Sequence, residues 1–475
     1  MTTSVMTRTE SDSIGSMQVP ANAYYGVQSL RAKENFPITG HQLHPAFIRN
    51  LARIKKACAM ANSEAHTLPI ESTIAILQAC EEIEQDSYLS EFIVDAIQGG
   101  AGTSANMNAN EVIANRANEI LGFPLGSYSP VHPNDHVNMA QSTNDVIPTA
   151  GKLTVLDLLT PLIRSLDVLE DALIGKSEEF ADVIKMGRTQ LQDAVPMCLG
   201  QTFHGYASMI TRDRKRIQKI AREMYTVNLG GTAIGSAINT SDIYLNDVVP
   251  ELSTITGYPL KQADDLFDAT ENLDGFVMVS STLKACAIDL SKMCNDLRLL
   301  SSDPRTGFGE INLPAMQNGS SIMPGKINPV IPEVVSQVAF HVIGHDTTIS
   351  MAAEAGQMEL NAFEPVVFYN LFESITTLTE AVDTLTKNCI VGITANRDRC
   401  QSLMEQSVGI ATALCPHLGY KKSADIAKYA LKHNMTVREV VLSQKLMSSK
   451  LLDEVLNPYH MTGSTEEIHY SERAS

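Results

Sequence analysis

Gly319 to Glu333 reads GSSIMPGKINPVIPE, and this stretch decides how the rest of the chain is read. Gly319 and Gly325 lack side chains, so the paired serines Ser320 and Ser321 sit on a mobile loop whose backbone can approach a ligand closely. Lys326 offers a point positive charge, Asn328 offers both a donor and an acceptor, and Pro329 limits Asn328 to extended or turn geometry. Alone, the stretch also fits a polar loop between helices. Its chemistry suits holding a carboxylate beside a hydroxyl.

The pattern GSSxMPxKxNP resembles the signature of the fumarase/aspartase superfamily, whose members eliminate a group anti across a Cα–Cβ bond and leave fumarate. Within that family GKINPVIPEVV is similar to the aspartate ammonia-lyases, whereas class II fumarases usually read NPTQCE there. Four more strings carry the same resemblance: YYGVQSLRAKENF from Tyr24, GGAGTSANMNANE from Gly99, QSTND from Gln141 and GRTQLQDA from Gly187. All are highly polar, which packing alone does not explain.

Composition frames this reading. The 475 residues can bury large cores and suggest about three domains. With 44% hydrophobic and 19% charged residues, no Trp and 20 Met, the balance suits packed aliphatic helices. The net charge of -18, without a basic run long enough to track phosphates, argues against nucleic acid as a partner. An acidic chain that binds an anion must gather positive charge locally, and Arg188 and Lys326 are the candidates. The eight cysteines contain no CxxC and read as reduced core thiols. No hydrophobic stretch of 18 residues and no signal-like start are visible, so the expectation is a soluble cytoplasmic protein with no membrane partner.

Outward from the serine loop, the pattern is mainly α. Three segments are expected: an N-terminal helical domain over 1–145, a central long-helix bundle over 146–400 and a small C-terminal helical domain over 401–475. Residues 1 to about 18 and the last ten read as solvated tails, and Arg31 reads as structural. Apolar spacing at three and four marks helices from Pro45 to Ile97, and long ones over 153–180, 202–225, 272–300 and 332–353. Gly100, Gly102 and Ala105 match the dinucleotide spacing G-x-G-x-x-A, with Glu119 about twenty residues on, but the flanks read helical and a Rossmann site is rejected. A glycine-rich turn before a helix is instead an anion site. Asn138, Gln141, Ser142, Thr143 and Asn144 crowd too many polar side chains for a helix interior and read as a hydrogen-bonding cradle, with Ser142 to Asp145 also able to cap the next helix. Asn228 to Gly235 is a further glycine-rich turn without GK[ST]. His132/His136 and His341/His345 are each four apart, yet neither pair has an HExxH glutamate or a third ligand, so no metal site is assigned.

The resemblance implies roles position by position. Thr103, Ser142, Thr143 and Ser321 donate to the β-carboxylate, where a doubly charged enediolate forms. Lys326 and Asn328, with Thr189 and Gln190, hold the α-carboxylate. Asn144, helped by Thr103 and Thr189, orients the amino group. Ser320 is the base, delivered when the 319–325 loop closes. It further implies a homotetramer with a 20-helix core and active sites composed from three subunits. Substrates are L-aspartate, fumarate and ammonium; the chemistry requires no cofactor, and activation by a divalent cation is left open. Fumarases carry histidine where this chain has Gln190, paired with the acid matching Glu333. Glutamine cannot shuttle a proton, so class II fumarate hydratase is the alternative rather than the first reading. A scaffold that had lost activity, as some lens crystallins have, would be expected to lack Ser320, Lys326 or Thr189, and all three are present.

Overall fold

The computed structural model describes residues 6–302 and 305–462. It is mainly α, and the strands among the described residues pair only as two-stranded sheets. The five long helices are Thr143–Glu179, Leu199–Ile220, Asp274–Leu300, Val330–Glu354 and Glu364–Asn388. The described residues fall into two compact units. One draws on Met1–Arg164, Asp213–Ala287 and Val338–Thr379, the other on Ser165–Arg212, Ile288–Gln337 and Glu380–Ser475. Every division lies inside one of the long helices.

In the first unit the helix Pro45–Glu64 starts with Pro45, whose missing N–H costs nothing there, and His44 Nδ1 accepts the Ala46 N–H at 3.1 Å. Its buried stripe packs on Ile70–Glu84 and Asp242–Thr256. Thr103–Ile120 lies against Ile70–Glu84 and Val27–Asn35. Buried Glu111 accepts the backbone N–H groups of Gly26, Gln28 and Ser29, tying the N-terminal string to that helix.

The N-terminus corrects an expectation. Thr7–Ser11 and Ser16–Pro20 form an antiparallel hairpin rather than a tail. Arg8 donates to the carbonyls of Pro20, Ala21, Ala23 and Tyr25, Arg31 clamps Asp12 at 2.9 Å, and Val19 is buried with Ala23 and Val27, so arginine bonds and a small apolar cluster together order a largely polar sequence. The C-terminal tail expected over the last ten residues lies outside the described residues.

In the second unit Ile184–Thr189 and Gln192–Cys198 form another hairpin, where the sequence had shown only the end of a helix and a polar string. It packs with Arg397–Gln406, the 408–414 turn and the short C-terminal helices around Met186, Leu414, Ile426, Val440 and Leu452. All eight cysteines are free thiols, seven of them buried. Thr143–Glu179 is long and apolar enough by composition to cross a membrane, which the sequence reading had not seen. Its most apolar window is 67% buried inside the protein, the environment of a core helix.

Candidate active site

The polar strings that sequence singled out fall in both units. Thr103, Ser142, Thr143 and Asn144 belong to the first; Thr189, Gln190, Ser320, Ser321, Lys326 and Asn328 belong to the second.

In the first unit, Gly102 takes a left-handed backbone (φ 87°) just before the helix that Thr103 opens. A Cβ at Gly102 would sit 2.9 Å from Ile147, so glycine is needed for the turn to lie against the Thr143–Glu179 helix. Thr103 is exposed, and its hydroxyl donates to the Gly100 carbonyl at 2.7 Å. The element immediately before this turn is the short 3-10 turn Leu89–Glu91, where a dinucleotide site would need a strand leading into the glycines.

The cradle is a network built on a residue the sequence reading passed over. Lys55 is fully buried, and its ammonium donates to Asn106 Oδ1 (2.7 Å), Asn138 Oδ1 (2.9 Å) and Gln141 Oε1 (2.8 Å). Three amide oxygens occupy three ammonium protons, which turns each amide nitrogen toward other acceptors. Asn106 Nδ2 accordingly donates to Asn138 Oδ1 at 3.1 Å and to Thr143 Oγ1 at 3.4 Å. Thr143 thus receives a donor and keeps its own proton to give. Burial pushes Lys55 down to about 8.

Asp145, also fully buried, balances that charge from the other side. It accepts the N–H groups of Ser142 (2.9 Å), Gly230 (3.0 Å) and Thr232 (3.0 Å), while desolvation raises it to about 6. Ser142 Oγ accepts the Asn144 N–H at 3.2 Å, so Ser142 caps the helix as well as lining the cradle. Asn144 donates to the Ala233 carbonyl at 2.7 Å, and buried Asn228 donates to the Asn144 carbonyl at 3.0 Å. The QSTND string and the glycine-rich turn after Asn228 are therefore one assembly.

In the second unit, Gln190 (φ 54°) and Leu191 (φ 61°) form a two-residue hairpin tip between the paired Thr189 and Gln192. Two adjacent left-handed positions without glycine cost about 1–3 kcal/mol each. Thr189, Gln190 and Leu191 are all exposed. Arg188, expected to help gather an anion, is instead committed to fully buried Glu310 at 2.9 and 3.1 Å and stacks over Phe308. Lys185 approaches the same carboxylate at 3.4 Å.

The serine loop is pinned at its neck. Gly319 N–H donates to the Lys326 carbonyl at 3.0 Å, and Asn328 Nδ2 donates to the Gly319 carbonyl at 2.6 Å. One amide proton of Asn328 is thus structural, leaving its other proton and its oxygen free for a ligand. A Cβ at Gly319 would come within 2.3 Å of the Lys326 carbonyl. Inside the loop, Ser320 Oγ accepts two backbone N–H groups, from Ile322 at 3.2 Å and Met323 at 2.9 Å. Donors aimed at a hydroxyl oxygen favour its ionised form. Ser321 and Lys326, on the same loop, are exposed. Sequence could have flagged Lys55: position 55 falls on the buried stripe of Leu51, Ile54 and Cys58 rather than on the solvent face.

A family model described as "Lyase" matches residues 15–344, and one described as "Fumarase C C-terminus" matches residues 410–463. The chain is 50% identical over 455 residues to the aspartate ammonia-lyase of Bacillus subtilis (strain 168), covering 96% of each chain. It is 52% identical over 457 residues to that of Pseudomonas aeruginosa, again covering 96% of each. Among solved structures it matches fumarate lyase:delta crystallin from Brucella melitensis, in a cobalt-bound form, with TM-score 0.94 and 50% identity over 96% of this chain and 99% of that one. The recombinant class II fumarase from Schistosoma mansoni matches with TM-score 0.93 and 34% identity over 96% and 99%.

Proposed function

Because this chain belongs to the fumarase/aspartase superfamily of lyases, we propose that it is a carbon–nitrogen lyase that removes ammonia from L-aspartate in a reversible anti elimination leaving fumarate. The observation that carries the site reading is Ser320, whose hydroxyl oxygen takes two backbone N–H donors on a loop that also carries the exposed Lys326.

Removing a Cβ proton beside an ionised carboxylate places two charges on one carboxyl group. Preorganised donors must meet that charge, each worth about 2.7–4 kcal/mol in a water-free site. Thr103, Ser142, Thr143 and Ser321 supply them at the β-carboxylate. Lys326, Asn328, Thr189 and Gln190 hold the α-carboxylate, and Asn144 orients the amine with Thr103 and Thr189. Ser320, as alkoxide, takes the Cβ proton; the Ile322 and Met323 amides and the Lys326 charge make that alkoxide accessible near neutral pH. The substrate amine is –NH3+ and leaves as neutral NH3 with the C–N electron pair, so no separate acid is needed at position 190. Gln190 suits this reaction and not the hydration of fumarate.

The exposed tip at Thr189–Leu191 and the exposed loop at Ser321–Lys326 favour sites completed across a homotetramer, with a 20-helix core and three chains contributing to each site. The protein works in the cytoplasm, and the elimination needs no cofactor. The test is to supply purified protein with L-aspartate and, separately, L-malate, and to follow fumarate by its ultraviolet absorbance. Fumarate from aspartate is expected. Fumarate from malate alone would transfer the assignment to class II fumarate hydratase, and none from either would leave an inactive scaffold.

A further inference from the structure

Against the turn that leads into Thr103, the first unit holds a cavity of about 200 Å³ whose wall is largely aromatic. Phe47, Phe368 and Phe372 line it with ring centroids 5.8, 5.8 and 5.6 Å apart, the last two rings stacked within 7° of parallel. Gly102, Ala105 and Ile147 complete the apolar part of the wall. All six residues are buried within this unit, so the space is enclosed by the chain's own packing.

Most polar groups around it are already committed. Gln98 donates to the Asp95 carbonyl at 2.7 Å and accepts the Ala105 N–H at 2.8 Å. His44 Nδ1 spends its lone pair on the Ala46 N–H, which makes that ring neutral, and His41 Nδ1 shares a hydrogen bond with the Tyr369 hydroxyl at 3.1 Å. Glu373 is the exception: it is the only carboxylate among the residues that line the cavity, it is exposed, and no ion pair among the described residues engages it. The exposed positions of its helix are Glu373, Glu380, Asp383 and Lys387, whereas the Val330–Glu354 helix exposes Val334, Phe340 and Met351. A stripe of charges suits water and not the core of a contact between chains, so the mouth at Glu373 is on a water-facing side.

We propose that this cavity binds a small aromatic amine, with one six-membered ring among the phenylalanines and a short ammonium-bearing arm reaching Glu373. An apolar cavity of about 150 Å³ accepts a benzene ring, so this one has room for a ring and a short arm. Aromatic walls favour both a ring and a neighbouring cation, and the carboxylate decides which end of the ligand faces water. A ring compound of the same size with an anionic arm meets Glu373 as a like charge and is rejected. The occupant touches Gly102 and Ile147, which already stand too close for a side chain at position 102, and so rests against the turn that opens into Thr103. Binding is measured without substrate, and the proposal does not depend on the reaction assigned above.

Full-length protein is titrated by calorimetry with phenethylamine and, separately, with phenylacetate, with thermal unfolding followed in parallel. One phenethylamine per chain is expected, with a Kd on the order of 1 mM and a rise in Tm, and no binding of phenylacetate. Glu373→Gln should weaken phenethylamine binding about 3-fold or more, and Glu373→Lys, at the same exposed position, should abolish it. Ala105→Leu fills the cavity and should abolish binding too, its ligand-free Tm showing that it has folded. Absence of saturable phenethylamine binding, equal binding of phenylacetate, or undiminished binding by Glu373→Lys would overturn the proposal.

Discussion

The cradle around Thr143 and the loop around Ser320 both present hydroxyls for the same chemistry, yet they are built in opposite ways. The cradle hydroxyls stand on a floor in which Lys55, Asn106, Asn138 and Gln141 satisfy one another and Asp145 is held by three backbone N–H groups, with both charged groups fully buried. The loop is exposed and bonded chiefly to itself, through its neck and the two amides on Ser320. Donors that await a developing charge gain from being fixed before it appears. A base that must reach a C–H bond and then release product gains from a segment whose movement breaks few contacts elsewhere.

This contrast can be broken experimentally. Ser320→Ala carries the largest expected effect: kcat should fall about 10³-fold or more while L-aspartate still binds and unfolding midpoints stay within about 0.5 kcal/mol of wild type. A stability loss there would show that the loop is part of the scaffold after all. Thr143→Ala should lower kcat about 10²–10³-fold, the loss of one preorganised donor, as measured by steady-state fumarate release. Lys55→Met leaves three buried amide oxygens without their cation and should cost roughly 3–5 kcal/mol in denaturant unfolding.

The pH dependence sharpens the same point. Lys55 is lowered from 10.5 to about 8 in the fold, so the unfolded chain holds more protons between those values. Its contribution is fully favourable above 10.5 and is lost as pH falls through 8; the stability gap between wild type and Lys55→Met should therefore widen from pH 8 to 10.5. Asp145 has the opposite sign: raised from 3.8 to about 6, it favours folding below 3.8 and loses that contribution as pH rises through 6. A gap that stays flat with pH would mean Lys55 is not held as described. The smallest effect belongs to the hairpin tip, where Leu191→Gly relieves a left-handed strain and should stabilise by about 0.5–1 kcal/mol.

The long helices were legible because their apolar residues repeat at helical spacing over many turns, and the structure places helices on all four stretches so marked. The hairpin at Ile184–Cys198 was not. Its tip is Gln190-Leu191, without the Asn-Gly or Asp-Gly pair that advertises such a turn, and its strands are interrupted by polar residues. The N-terminal hairpin escaped for a related reason, since arginine-to-carbonyl bonds leave no periodic trace. The strings around Thr103, Ser142 and Ser320 stood out as polar clusters that packing cannot explain. What sustains them did not, because a lysine in a helix ordinarily reads as solvated and only its register against Leu51 and Cys58 shows that Lys55 faces inward. Arg188 misled in the other direction: its positive charge is legible, but the buried Glu310 that consumes it lies more than a hundred positions away.

The bonded neck at Gly319, Lys326 and Asn328 makes the intervening residues a self-contained cassette. The six residues between Gly319 and Lys326 are thereby fastened to each other rather than to the helix that begins at Val330, so the segment that carries Ser320 can shift as one piece while that helix stays in place.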